Sequence, residues 1–127
     1  MKKISTVSAS LLLSVLLSAV ASTASAQLPA KEAAGVITTP SGMTLYTFDR
    51  DQMGASSCNA ACATSWPPFA AKADDRVQGD YTVITRDDGS KQWALKGRAL
   101  YTWSNDAKPG DKTGDGMLNN AWHAARP

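Results

Sequence analysis

Two cysteines stand four residues apart in this chain, Cys58 and Cys62, and it has no others. Thiols so close can bridge each other, exchange electrons with another dithiol, or bind a soft metal. A helix would place their Cα atoms about 6 Å apart, inside the range that a disulfide accepts. The closed loop is short, so its chain-entropy contribution is only about 2 kcal/mol, enough to pin a loop. The spacing is C-x-x-x-C rather than the C-x-x-C of disulfide exchangers, and no His follows Cys62 as covalent haem attachment requires. The expectation is a structural disulfide.

The other chemically capable groups are more scattered. His123 is the single His. With Cys58, Cys62 and the thioethers of Met43, Met53 and Met117 it would suit copper. No M-x-x-M or H-x-x-x-H cluster accompanies it, so no metal site is assigned. Asp111, Thr113, Asp115 and Gly116 imitate the start of a calcium loop, but its twelfth position is Trp122 rather than a bidentate Glu. Lys108 and Lys112 weaken that loop further. Asp51 and Asp106 end two copies of one short motif. As a catalytic pair they would need divergent environments and a separate acid–base partner, and identical duplicated residues offer neither. An Asp just past a strand is better read as an acceptor for the N–H groups of the next loop. G-x-S-x-G, H-E-x-x-H and Gly-rich phosphate loops are missing. No enzyme activity and no cofactor are expected.

The elements that carry these groups begin after an export signal. Lys2 and Lys3, the apolar run Leu11–Val20 and the small-x-small site Ala24-Ser25-Ala26 form the three parts of a secretory signal peptide. The apolar run is too short for a membrane span. Cleavage after Ala26 leaves residues 27–127, with 11 basic residues (13 less Lys2 and Lys3) against 11 acidic ones. A neutral chain has no electrostatic footprint for nucleic acid. No Cys stands near the cleavage point, so a lipid anchor is not expected, and the location expected is periplasmic or extracellular. Four Trp in so short a chain exclude a disordered tail.

The mature chain repeats itself. Leu45-Tyr46-Thr47-Phe48-Asp49-Arg50-Asp51 matches Leu100-Tyr101-Thr102-Trp103-Ser104-Asn105-Asp106. Gly42 and Gly97 each precede the Leu by three residues, and Trp66 and Trp122 follow the two Asp at nearly equal distances. This sets two copies, about 35–70 and 90–125, in one domain over 35–127, after a flexible leader at 27–34. Tyr, Thr, Phe and Trp favour strands, and period-2 alternation puts Leu45 and Thr47 on one face, Tyr46 and Phe48 on the other. Thr39-Pro40-Ser41-Gly42 is a turn signal between Val36–Thr38 and Met43–Phe48. Residues 81–103 read as a three-strand meander with tight turns at 86–90 and 96–97. Ser56 and Ser57 before an Ala-rich stretch suggest a capped helical turn near the Cys pair. Trp66-Pro67-Pro68-Phe69 must be extended, and Ala107–Asn120 reads as irregular. The fold class is mainly β, two small repeated β units with one short helical turn.

Tyr46-Thr-Phe48-Asp-Arg-Asp51 and Tyr101-Thr-Trp103-Ser-Asn-Asp106 together resemble a bacterial family of secreted repeats of unknown function, also described as lipoproteins with a Y-x-[FWY]-x-x-D motif. Cys58-x-x-x-Cys62 followed by Trp66-Pro67-Pro68 and the loop Pro109-Gly110-Asp111-Lys-Thr-Gly114 are similar to the same family, over residues 42–124. Relatives that carry a lipid-acceptor Cys differ from this chain on that point. The resemblance implies export and repetition and supplies no reaction. The function expected is therefore a small exported binding or structural module. Trp66 and Trp122 are its candidate binding aromatics, and a small ligand or a cell-envelope protein is its partner class. The alternative is a periplasmic redox or copper-handling protein using Cys58, Cys62, the Met residues and His123.

Overall fold

A computed structural model describes residues 27–127, together with Lys3 and Ser14. The export signal expected over 1–26 otherwise lies outside the described residues. The strands are β1 Lys31–Ala33, β2 Val36–Thr38, β3 Tyr46–Phe48, β4 Tyr81–Thr85, β5 Lys91–Leu95, β6 Arg98–Ala99 and β7 Trp122–Ala124, with a short helix α1 at Ala61–Ser65. They form small antiparallel sheets, β1–β2, β3–β7 and β4–β5–β6. Among the described residues no helix is long and apolar enough to cross a membrane.

The 81–103 meander is present, and its second turn shows why it is tight. Lys96 and Gly97 both have positive φ, 51° and 83°, the two-residue geometry that matches the twist of hairpin strands. Ala34 and Gly35 make the same kind of turn between β1 and β2. The leader expected at 27–34 is thus a strand from Lys31 onward. Its exposed side chains hide it in the sequence, but its backbone pairs with buried β2. The β1–β2 hairpin corresponds to β4–β5, so each copy starts earlier than the motif match suggests.

The two copies exchange their last strands. Ile37 N–H donates to Ala125 O (2.8 Å), Ala125 N–H to Leu45 O (2.8 Å) and Leu45 N–H to Ile37 O (2.9 Å). The second copy repeats this cycle: Trp93 to Phe69 (2.9 Å), Phe69 to Leu100 (2.8 Å), Leu100 to Trp93 (3.0 Å). Each triangle takes two residues from one copy and its third from the end of the other. Between the triangles, Tyr46 N–H donates to Tyr101 O (2.7 Å) and Tyr101 N–H to Tyr46 O (3.0 Å), which marks a local two-fold relation between the repeats. Long loops also cross over: Gly54 N–H donates to Gly97 O, and Gly110 N–H to Gly42 O.

Strand alternation then builds two cores. Leu45 and Leu100, both fully buried, join Ile37, Trp93, Leu95 and Ala125 in one. Tyr46 and Tyr101, equally buried, enter the other with Phe48, Trp66 and Trp122. Burying each such side chain contributes roughly 1.5–3 kcal/mol.

Candidate functional site

The second core is a column of four aromatic rings. Phe48 stacks on Trp122 at 4.2 Å between centroids and 11° between planes, Trp122 on Trp66 at 3.8 Å and 4°, and Trp66 on Trp103 at 4.1 Å and 30°. Rings from the two copies alternate along it. Tyr46 meets Trp66 edge-on, and Tyr101 meets Trp122 edge-on, so the arrangement obeys the two-fold relation. Each pair adds about 0.5–1.5 kcal/mol beyond its burial. Gly114 passes so close that a Cβ there would stand 2.7 Å from a Trp66 ring carbon. Trp66 and Trp122, expected as binding residues, are interior rungs of this column. Trp103 at its end stays half-buried.

Each tyrosine is tied to the Asp of the other motif. Tyr46 Oη–H donates to Asp106 Oδ2 and Tyr101 Oη–H to Asp51 Oδ2, both at 2.6 Å. The second oxygen of each carboxylate organises the following loop. Asp51 Oδ1 accepts from Ser57 N–H and Oγ–H (2.8 and 2.9 Å), and Asp106 Oδ1 from Thr113 N–H and Oγ1–H (3.0 and 2.5 Å). Both oxygens of each carboxylate are thus engaged by hydroxyl and backbone N–H donors. Burial first, and then the bond to a carboxylate, hold both phenols well above their usual pKa.

Copy 2 carries an extra device that reaches into the Cys loop of copy 1. The Arg86 guanidinium is buried and meets neutral oxygens: Gln92 Oε1 at 2.7 Å, Ser56 Oγ at 2.9 Å, Cys58 O at 2.5 Å and Asn59 Oδ1 at 3.4 Å. Because Tyr101 gives its proton to Asp51, Ser56 must donate to Tyr101 Oη (2.6 Å), so a chain of bonds leads from Arg86 to the Asp51 charge. A buried cation without such acceptors would cost several kcal/mol. The sequence holds no signal for this: Arg86 reads as one more turn residue after β4.

Cys58 and Cys62 form the disulfide, with Cα atoms 5.2 Å apart. Helix α1 begins only at Ala61, and its N-cap is Ala60 with no side-chain cap bond. The Ser cap expected there does not form, because Ser56 is engaged by Tyr101 and Arg86 and Ser57 by Asp51. The bridge joins both sulfurs, leaving the copper reading without thiolate ligands. His123 Nε2 lies 2.7 Å from Asp49 Oδ2 at the surface. Asp111 accepts from Ala107 and Lys108, and Asp115 from Ala124 N–H. The hydrogen bond from the Lys108 ammonium, and then that from Ala107 N–H, hold the Asp111 carboxyl below its usual range.

Beside the column opens a cleft of about 380 Å³, lined by Phe48, Cys62, Ser65, Trp103, Met117 and Leu118 among others. Its rim is backbone in a rare conformation. Leu118, Asn119 and Asn120 have φ of 56°, 52° and 67°, so Met117–Asn120 is a left-handed turn rather than an α-helix. Left-handed geometry costs about 1–2 kcal/mol per non-glycine residue. Here it holds Leu118 out, 52% exposed. The signal for this rim was weak in the sequence, since Gly114, Gly116 and the Asn pair announced only an irregular loop.

Searches of curated proteins and of solved structures found no match. The family model for a secreted repeat of unknown function matches residues 30–70 and 82–126, one match for each interlocked copy. The chain therefore belongs to that secreted repeat family.

Proposed function

We propose that the protein is a non-catalytic exported module that binds a small flat apolar ligand in the cleft at the end of the aromatic column. It acts after removal of residues 1–26 and without a lipid anchor. The observation that carries this reading is the half-buried face of Trp103 in a cleft whose lining side chains are apolar apart from Ser65. The size suits a one- or two-ring molecule, and an apolar lining with few polar groups is the usual make-up of such sites. The left-handed rim at Leu118 supports it, since strained backbone gathers at ligand sites.

The test is tryptophan fluorescence of the exported protein titrated with 2-naphthol. Saturable quenching is expected, lost in Trp103→Ala, which lowers the melting temperature by the loss of one stacked ring but keeps a cooperative transition and the far-ultraviolet circular dichroism of the native fold. Quenching that does not saturate, or that survives Trp103→Ala, refutes the reading. Intact mass of the exported form checks cleavage after Ala26.

A further inference from the structure

The β3–β7 ribbon has a second face. Phe48 pairs across with Trp122 and Thr47 with His123, so alternation turns the first pair to the column and the second away from it. On this other side a separate cleft of about 380 Å³ is lined by Thr47, His123, Lys96, Arg98 and Arg126, with Pro127 at its edge. The three long cations are exposed, and among the described residues none of them forms a salt bridge or a side-chain hydrogen bond. Asp49 is engaged with His123, and on its other side Lys96 also borders an opening lined by Glu32 and Asp80, with which it forms no salt bridge.

This concentration is specific to one place. Residues 27–127 are neutral in sum, so three free cations around one opening are an uneven distribution of charge. Lys96 and Arg98 flank Gly97 in the tight β5–β6 turn, which projects both toward the same opening. The corresponding turn of copy 1, Thr39–Met43, has no cation, so the patch is not a by-product of the repeat. Arg126 comes from the exchanged end of copy 2, just past Ala125 of the first backbone triangle. Guanidinium forks match phosphate oxygens in pairs, and a cleft with cations on several sides concentrates multivalent anions.

We propose that the Lys96–Arg98–Arg126 cleft is a binding site for phosphate groups, either on a free phosphate compound or on the headgroups of an anionic lipid surface. It is independent of the aromatic cleft and stands or falls separately from it.

The experiment titrates the exported protein with sodium pyrophosphate and, separately, with phosphatidylglycerol and phosphatidylcholine vesicles, following backbone amide shifts and co-sedimentation. Pyrophosphate is expected to shift amides of residues 96–98 and 123–126 saturably. Affinity should fall at least tenfold in Lys96→Gln/Arg98→Gln/Arg126→Gln, whose altered side chains are exposed and leave the cores intact. A charge-matched control, Lys72→Gln/Arg76→Gln/Lys112→Gln, should keep most of the affinity. Binding to phosphatidylglycerol but not to pyrophosphate or phosphatidylcholine also supports the site and assigns it to headgroups. Equal losses in both triple variants would mean diffuse charge and overturn the proposal. So would the absence of binding in every arm.

Discussion

Tyr46 of the first motif donates its phenolic proton to Asp106 of the second, 60 residues away, at 2.6 Å. Tyr101 and Asp51 form the reciprocal bond at the same distance. The tyrosine and the aspartate of each Y-x-[FWY]-x-x-D motif are therefore partners across the repeat and not within it. One motif without the other would leave a buried hydroxyl and a carboxylate unmatched.

A double-mutant cycle tests this relation. Tyr46→Phe combined with Asp106→Asn should show a coupling of about 1–2 kcal/mol in chemical denaturation, whereas Tyr46→Phe with Asp51→Asn should be additive. Asp→Ala at either site should cost about 2–4 kcal/mol, more than Asp→Asn, because the loop N–H and the tyrosine both lose their acceptor. Coupling inside a motif in place of coupling across motifs would contradict the pairing.

Alkaline pH should destabilise the fold. Burial, followed by the Asp106 and Asp51 bonds, raises the pKa of Tyr46 and Tyr101 from the ordinary 10.0. Tyr81 is raised as well, by burial and then by the Asp80 and Glu32 charges. Below that ordinary value the folded and unfolded chains hold the same phenolic protons, and the stabilisation is complete. Above it the unfolded chain releases them first, so stability falls by up to about 1.4 kcal/mol per pH unit for each phenol. Denaturant midpoints measured across this range should drop, and Tyr46→Phe/Tyr101→Phe should flatten the slope. An unchanged slope in the double variant would assign the alkaline loss to other groups.

Gly114→Ala should be costly for packing reasons alone. No left-handed φ is required at Gly114, but an added Cβ would meet Trp66 ring carbons at 2.7 and 2.9 Å and Trp103 at 3.0 Å. Those rings are stacked and cannot yield separately. A loss of about 1–3 kcal/mol is expected, with a change in near-ultraviolet circular dichroism that reports the displaced column.

Leu118→Gly should act in the opposite sense on stability. Glycine accepts φ near 56° without the Cβ penalty, and the exposed Leu118 buries little. A gain of about 0.5–1 kcal/mol is expected, with weaker naphthol binding because the cleft loses its rim. A loss of stability would show that Leu118 is held by packing.

Separated halves should not fold alone. Residues 27–72 contain Ile37 and Leu45 but lack Ala125, and residues 73–127 contain Trp93 and Leu100 but lack Phe69. Each half should be unfolded by circular dichroism, and mixing them should restore strand signal and the near-ultraviolet band of the stacked Trp rings. An independently folded half would disprove the exchange of strands.

The sequence by itself determined most of the strands and the equivalence of the two motifs, though not β1, whose exposed side chains hide it, nor the left-handed turn at Met117–Asn120. The 55-residue offset between the motifs identified Leu45 with Leu100 and Tyr46 with Tyr101, and both pairs are buried alike. Period-2 alternation placed leucine and tyrosine on opposite faces, which became two cores. Two close Cys in an exported chain read as a bridge, and the bridge is there. Tertiary structure alone decided which copy each strand end and each aspartate would join. Internal similarity is symmetric under exchange: Trp66-Pro67-Pro68-Phe69 has the same local chemistry whether it pairs with its own copy or the other. The choice rests on long-range pairing and on ring stacking across the two-fold relation. The same holds for Arg86, whose acceptors at Ser56, Cys58 and Asn59 are brought to it from the other copy, and for the three cations gathered around His123. Their spacing along the chain carries no trace of that meeting.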